Sequence, residues 1–151
     1  MPGQAPEVAI KEMPNARIAI ISATWNADIC DDLIAGAERA CALAKAATTV
    51  IRVPGSFELP LAAQFAFEKG FDAAVVLGVV VQGDTPHFDY VCQGVTQGVM
   101  DVSLKFSKPI GFGVLTVNTV EQAIARSGRP GSIEDKGFDS AVAALTLLLQ
   151  K

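Results

Sequence analysis

Asp72-Ala-Ala-Val-Val-Leu-Gly-Val-Val-Val81, running straight into Gln82-Gly-Asp-Thr-Pro-His-Phe-Asp-Tyr90, is the stretch that decides the fold. Its first part is apolar almost throughout. A short run of that kind reads as a strand buried on both faces, which occurs in parallel sheets covered by helices. The second part is a glycine turn in which Thr85 is a good N-cap and Pro86 suits a first helical position. A helix is therefore predicted from Pro86 to about Phe106.

Upstream, Ala16–Ala23 is a second short apolar run, and Thr48–Val53 is a β-branched one stopped by Pro54-Gly55. Asp28–Ala47 between them is rich in Ala and Leu, lacks Pro and reads as a helix. Leu59–Lys69 reads as another, with Pro60 tolerated in its first turn and Gly70 marking its end. Downstream, Pro109–Thr116 is a fourth core strand and Val120–Ser127 a short helix. Gly128-Arg-Pro-Gly131 breaks it, and Asp135–Gln150 is the last helix. The order β-α-β-α-β-α-β-α-α predicts an α/β fold: a three-layer α/β/α sandwich around a four-stranded parallel sheet, with helices on both faces and right-handed crossovers. Residues 1–15 hold three prolines and little periodicity, and read as an extended N-terminal arm ahead of a single domain over 16–151.

The 151 residues fit one domain, and a hydrophobic share of 50% argues against disorder. Only 19% are charged, below the usual quarter or so, which suggests surface hidden in an oligomer. The net charge is −4 and no Lys/Arg block occurs, so neither a general nucleic-acid binder nor an anionic-membrane binder is expected. Three cysteines without a CxxC suggest neither a disulfide framework nor a zinc site, and the single His87 has no His or Cys beside it to bind a metal. The N-terminus lacks the pattern of a signal peptide and no apolar run would span a bilayer, so a cytoplasmic protein is expected.

In a parallel α/β fold, ligands bind outside the carboxyl ends of the strands. The first loop there is Thr24-Trp25-Asn26, which carries the only Trp; it could stack on a planar heterocycle or pack half-buried against its helix. The second, Pro54-Gly-Ser-Phe-Glu58, offers a hydroxyl, N–H groups and a carboxylate suited to a polyhydroxy ligand, or to ordinary helix capping. The third, Gln82–Tyr90, joins loop N–H groups to a helix start, a potential phosphate site that Asp84 counts against if it faces the ligand. His87 falls in the first helical turn, where its imidazole could take and return a proton. Phe112 is most simply core, and Arg126 and Lys136 are cations near a Gly/Pro break that could pair with an anion or stay solvated. The residues alone are compatible with an enzyme or a small-molecule binding module.

Ala23-Thr-Trp-Asn26, Val53-Pro-Gly-Ser-Phe-Glu-Leu-Pro60, Gly83-Asp-Thr-Pro-His-Phe-Asp-Tyr90, Phe112-Gly-Val-Leu-Thr116, Glu121-Gln-Ala-Ile-Ala-Arg126 and Asp135-Lys-Gly137 stand in this order from about Ala16 to the end. Together they resemble lumazine synthase, the penultimate enzyme of riboflavin biosynthesis. The resemblance implies a flavodoxin-like sheet and a transferase without metal or other cofactor. That enzyme condenses 5-amino-6-(D-ribitylamino)uracil with 3,4-dihydroxy-2-butanone 4-phosphate to 6,7-dimethyl-8-ribityllumazine.

Carried over by motif position, Trp25 would stack on the pyrimidine and Asn26 would help hold it. Ser56, Phe57 and Glu58 would hold the ribityl chain, and the backbone of Val79, Val80 and Val81 would face the pyrimidine edge. Asp84 and Thr85 would hold phosphate through backbone N–H groups and the Thr hydroxyl. His87 would be the catalytic acid/base, Arg126 would bind phosphate and Lys136 would lie near it. Phe112 and Arg126 would serve a site shared between neighbours in a homopentamer. Trp in place of the common Phe at position 25 often accompanies riboflavin binding.

Three features depart from the family pattern. Gln82 stands where many members have Arg. The Arg126–Lys136 spacing is longer than in members that form icosahedral shells, which favours a free pentamer. Ala42, Leu43, Ala46 and Ala47, with Phe65 and Phe67 on the next helix, replace residues that are polar at several positions in relatives. If the two helices are adjacent, these residues form a patch that could dock a second chain, making the protein a pentameric scaffold for a cage-like assembly, natural or engineered.

Overall fold

The computed structural model describes residues 3–151, so the first two residues of the expected arm lie outside it. Its elements are β1 (Arg17–Ala23), α1 (Ala27–Leu43), β2 (Ala47–Val53), a 3-10 turn over Ser56–Glu58, α2 (Leu59–Glu68), β3 (Ala73–Val81), α3 (His87–Phe106), β4 (Ile110–Val117), α4 (Val120–Ile124) and α5 (Lys136–Leu148). All strands are parallel, in the order β2-β1-β3-β4. Residues 3–15 contain neither helix nor strand, and Ile10 and Met13 pack against the core. Among the described residues no helix is long and apolar enough to cross a membrane.

The period of two along each strand divides the core. Ile18, Ile20, Val75, Leu77, Leu115 and Val117 meet residues of α1 and α5 on one face. Ala19, Ile21, Val76 and Val114 meet residues of α2 and α3 on the other. β1 and β3 are therefore buried on both sides, whereas β2, at one edge, is exposed over most of its length.

This layering overturns the expected patch on two adjacent helices. The chain moves outward from β1 to β2 and back past β1 to β3. Right-handed crossovers in opposite directions put their helices on opposite faces. α1 lies in one layer and α2 in the other, so Leu43 and Phe65, both exposed, share no surface. Ala42 is exposed beside Leu43, Ala46 is half-buried on the core and Ala47 belongs to β2. Phe67 is buried, its ring centroid 5.6 Å from that of Phe106.

α1 stops at Leu43 rather than at Ala47. Ala46 N–H donates to Cys41 O at 3.1 Å and Lys45 N–H to Ala42 O at 3.0 Å, the two bonds of a Schellman turn. The turn puts Lys45 at φ 55, a left-handed conformation better suited to glycine. On its far side, α1 packs backbone to backbone on α5. A Cβ on Gly137 would lie 2.0 Å from Leu33 O, and one on Gly36 would lie 2.8 Å from Phe138 N.

Two substitutions probe these contacts by urea unfolding at one protein concentration. Lys45→Gly is expected to raise stability by roughly 0.5–1 kcal/mol, because it removes left-handed strain and loses only an exposed pair with Glu12. Gly137→Ala is expected to lower it by about 1–3 kcal/mol, since only movement of α1 from α5 admits the methyl group.

Candidate active site

The sheet changes direction between β1 and β3, since β2 lies beyond one and β4 beyond the other. At such a point the loops following the strands diverge and leave a crevice. The strand register gives this crevice a floor. β1 pairs with β3 only as far as Ser22↔Leu77, while β4 follows it to Val81↔Val117. β3 thus runs on past its pairing with β1 through Val79, Val80 and Val81, with Gly78 flanked by Ala23 and Ser56. Val79 and Val80 point into opposite cores, so at this strip it is main chain that borders the crevice.

Two loops are tied together over this floor. Thr24 Oγ1 donates to Val53 O at 2.6 Å, and Thr24 N–H donates to Pro54 O at 3.2 Å. Trp25, 72% exposed, lies against Gly55: a Cβ there would stand 3.2 Å from the indole Cδ1. The Gly55 N–H donates to Glu58 Oε1 at 2.9 Å, which turns that carboxylate towards the indole. Asn26, at φ 56, starts α1 by accepting the N–H groups of Ile29 and Cys30 on its carbonyl, both at 3.0 Å. Its side chain makes no capping bond.

Ser56 is buried with its Oγ over Gly78, where a Cβ would come within 2.5 Å of it. Phe57 is exposed but rests on α3 at Gly94, where a Cβ would lie 2.5 Å from the ring. Neither glycine is in the sequence reading of the site; a glycine inside a helix, as at Gly94, is the signal that would have marked it.

The third loop is open. Gln82, Asp84, Thr85 and His87 are all exposed. α3 begins at His87 with Pro86 as its N-cap, one residue later than predicted. The Thr85 hydroxyl accepts the His87 N–H at a long 3.4 Å, so it is scarcely engaged as a cap. Among the described residues the imidazole makes no hydrogen bond.

Three expected site residues lie apart from these loops. Phe112, on β4, pairs with Val76 of β3 and stands five residues short of the carboxyl end of its strand, or about 16 Å along it. It is 41% exposed on an edge strand. Arg126 and Lys136 belong to the layer of α1 and α5, because α4 buries Ala123 in that core, whereas His87 opens α3 in the opposite layer. Between the two cations stands Glu134, absent from the sequence reading. One of its oxygens is 3.5 Å from Arg126 Nε and the other 3.6 Å from Lys136 Nζ. Lys136 also lies 3.9 Å from Asp139, whose pKa is raised by burial against the opposing pull of that lysine. The chain therefore presents a loop cluster and, separately, a cationic pair. A cavity of about 1190 Å³ between residues 4–10 and α5 is remote from the three loops.

A doubly wound parallel sheet with its loops open at the switch point defines a class of small-molecule-binding α/β proteins. Comparison with known proteins narrows the class. A family model for 6,7-dimethyl-8-ribityllumazine synthase matches residues 15–151. A protein of that name from Streptomyces coelicolor is 50% identical over 142 residues, which cover 93% of this chain and 88% of the relative. Another of that name from Micrococcus luteus is 56% identical over 128 residues, 85% of this chain and 80% of the relative. The chain belongs to the 6,7-dimethyl-8-ribityllumazine synthase family.

The left-handed backbone at Asn26 separates two roles for that residue. Asn26→Ala is expected to lower stability by about 1 kcal/mol and Asn26→Gly to leave it nearly unchanged, as read from thermal unfolding. If the side chain also holds ligand, Asn26→Gly will weaken pyrimidine binding in titration without that loss of stability.

Proposed function

We propose that this protein condenses 5-amino-6-(D-ribitylamino)uracil with 3,4-dihydroxy-2-butanone 4-phosphate to 6,7-dimethyl-8-ribityllumazine, releasing phosphate and water, as a transferase of riboflavin biosynthesis. The observation that carries the reading is the strip of β3 at Val79–Val81 without a β1 neighbour, bordered by the Trp25 and Glu58 loops, in a chain of this family.

The chemistry asks for orientation and proton transfer. The pyrimidine ring stacks on Trp25 with its edge on the Val79–Val81 backbone, and Asn26 helps hold it. Ser56, the Phe57 backbone and Glu58 hold the ribityl hydroxyls. The free amine of the uracil attacks the ketone and forms an imine with loss of water. A proton must then leave the neighbouring carbon before phosphate departs, and His87 takes it and returns it during ring closure, in which the ribitylamino nitrogen adds to the remaining carbonyl and a second water is lost. Asp84 N–H, Thr85 and the cations Arg126 and Lys136 hold the phosphate.

Because that pair sits in the opposite layer and Phe112 on an open edge, the reading places them in a neighbour's site, as in a homopentamer. Exposed Met100 and Leu104 on α3 and Leu61 on α2 support such an assembly. Residues 1–15 are read as an arm on a single domain over 16–151. The exposed Trp25 also favours flavin binding at the same place, which quenching of fluorescence by riboflavin would test.

The direct test mixes purified protein with both substrates and follows product absorbance. Turnover above background is expected, with kcat lowered on the order of a hundredfold in His87→Ala. A folded, assembled protein that yields no product would overturn the reading.

A further inference from the structure

The loop from Ala125 to Lys136 is closed upon itself. Ile133 N–H and Glu134 N–H both donate to Ala125 O, at 2.9 and 3.0 Å, and Lys136 N–H donates to Arg126 O at 3.0 Å. The hydroxyls of Ser127 and Ser132 both reach Ile124 O, at 2.8 and 2.7 Å. Gly128 at φ 80 and Gly131 at φ 91 make the turns. These bonds hold Arg126 and Lys136 side by side at the base of the loop. Lys136 opens α5, whose place is set by the Asp135 cap and by the Gly137 contact with α1, whereas upstream of Arg126 the loop hangs from the five-residue α4, a short anchor.

The tip of the loop supplies a further hold. Arg129 Nε donates to Asp32 Oδ2 at 2.7 Å, and its Nη2 lies 3.5 Å from Asp28 Oδ2. Asp28 and Asp32 are one turn apart on α1, so a single planar guanidinium meets both. α1 itself is fixed by Ile29, Cys30, Leu33 and Ile34 in the core. Asp28 lies three residues after Trp25. The bridge therefore links the segment bearing the cations to the helix that begins at the Trp25–Asn26 loop. Engaged with α1, the guanidinium is turned to the protein rather than offered to a ligand.

We infer that Arg129 is a positioning residue: its bridge to Asp32 and Asp28 sets where the Arg126 end of the loop stands beside Lys136, and so how that pair of cations meets the phosphate-bearing substrate. The inference rests on the proposed reaction. When the bridge is cut, α1 and α5 stay in place and the Arg126 end of the loop moves. The effect falls on the phosphate substrate and spares the pyrimidine.

The test is steady-state kinetics with each substrate varied in turn, on R129Q, R129K, D32N and the R129Q/D32N double variant, beside thermal unfolding. R129Q is expected to raise KM for the phosphate substrate on the order of tenfold, with KM for the pyrimidine within about twofold of the parent. D32N acts in the same direction, and should R129Q fail to fold, D32N carries the same test. R129K, which reaches one carboxylate but cannot fork to two, falls between the parent and R129Q. The double variant is no worse than R129Q alone, because both changes cut one bridge. Folded R129Q with both KM values unchanged, or effects of R129Q and D32N that add, would overturn the inference while leaving the proposed reaction standing. No product from the parent protein would bring down both.

Discussion

β3 has to serve two neighbours of unequal length, and the rest of the molecule is arranged around that mismatch. It is sealed by β4 to its end but loses β1 after Leu77. Buried main-chain polar groups are ordinarily paired, so a strand that outlasts its neighbour leaves them for something else to meet. The loops after β1 and β2 do not fold down into the gap. They are held above it by Thr24, bonded to the carbonyls of Val53 and Pro54, and by Ser56, seated on Gly78. The crevice is a product of strand register, kept open by two short hydrogen-bonded loops.

Close packing at glycine keeps this arrangement stiff. The α1–α5 contact at Gly36 and Gly137, the seat of Phe57 on Gly94 and the approach of Gly111 to Ser140 O all bring atoms nearer than a Cβ would permit. Interiors packed this tightly transmit displacement rather than absorb it. Asp135 stands at the centre of one such contact. It caps α5 through Phe138 N–H, pairs with Arg39 of α1, and lies where Cβ atoms on Gly36 or Gly128 would intrude. Lys136, the next residue, takes its place from that cap.

The four strands are legible in the sequence because each carries a short apolar or β-branched run with a clear stop. The end of α1 is not. Ala44-Lys45-Ala46 are good helix formers, and the turn that ends the helix uses a lysine where glycine is the usual residue. The relation between α1 and α2 is equally hidden, because helices consecutive in the chain are separated by a whole sheet once the strand order reverses. The Trp25–Glu58 neighbourhood is legible, since the loops after parallel strands all leave the sheet at the same end. The separation of Phe112, Arg126 and Lys136 from His87 depends on which layer each element joins, and no local pattern encodes that. Glu134 escapes for a simpler reason: a carboxylate in an irregular loop has no periodicity to reveal it.

The exposed edge at β2 bears on how the newly made chain fares among its own copies. From Ala47 to Val53 one side of the strand is paired with β1 and the other is open, and its residues include the β-branched Thr48, Thr49, Val50 and Ile51. An open edge of that composition is a template for a neighbouring strand. On a ribosome-crowded message, newly released chains therefore risk edge-to-edge clumping. Arg52, held by Asp31 of α1 at 2.6 Å, puts an ion pair on that edge and makes it a poorer seed for a stray strand.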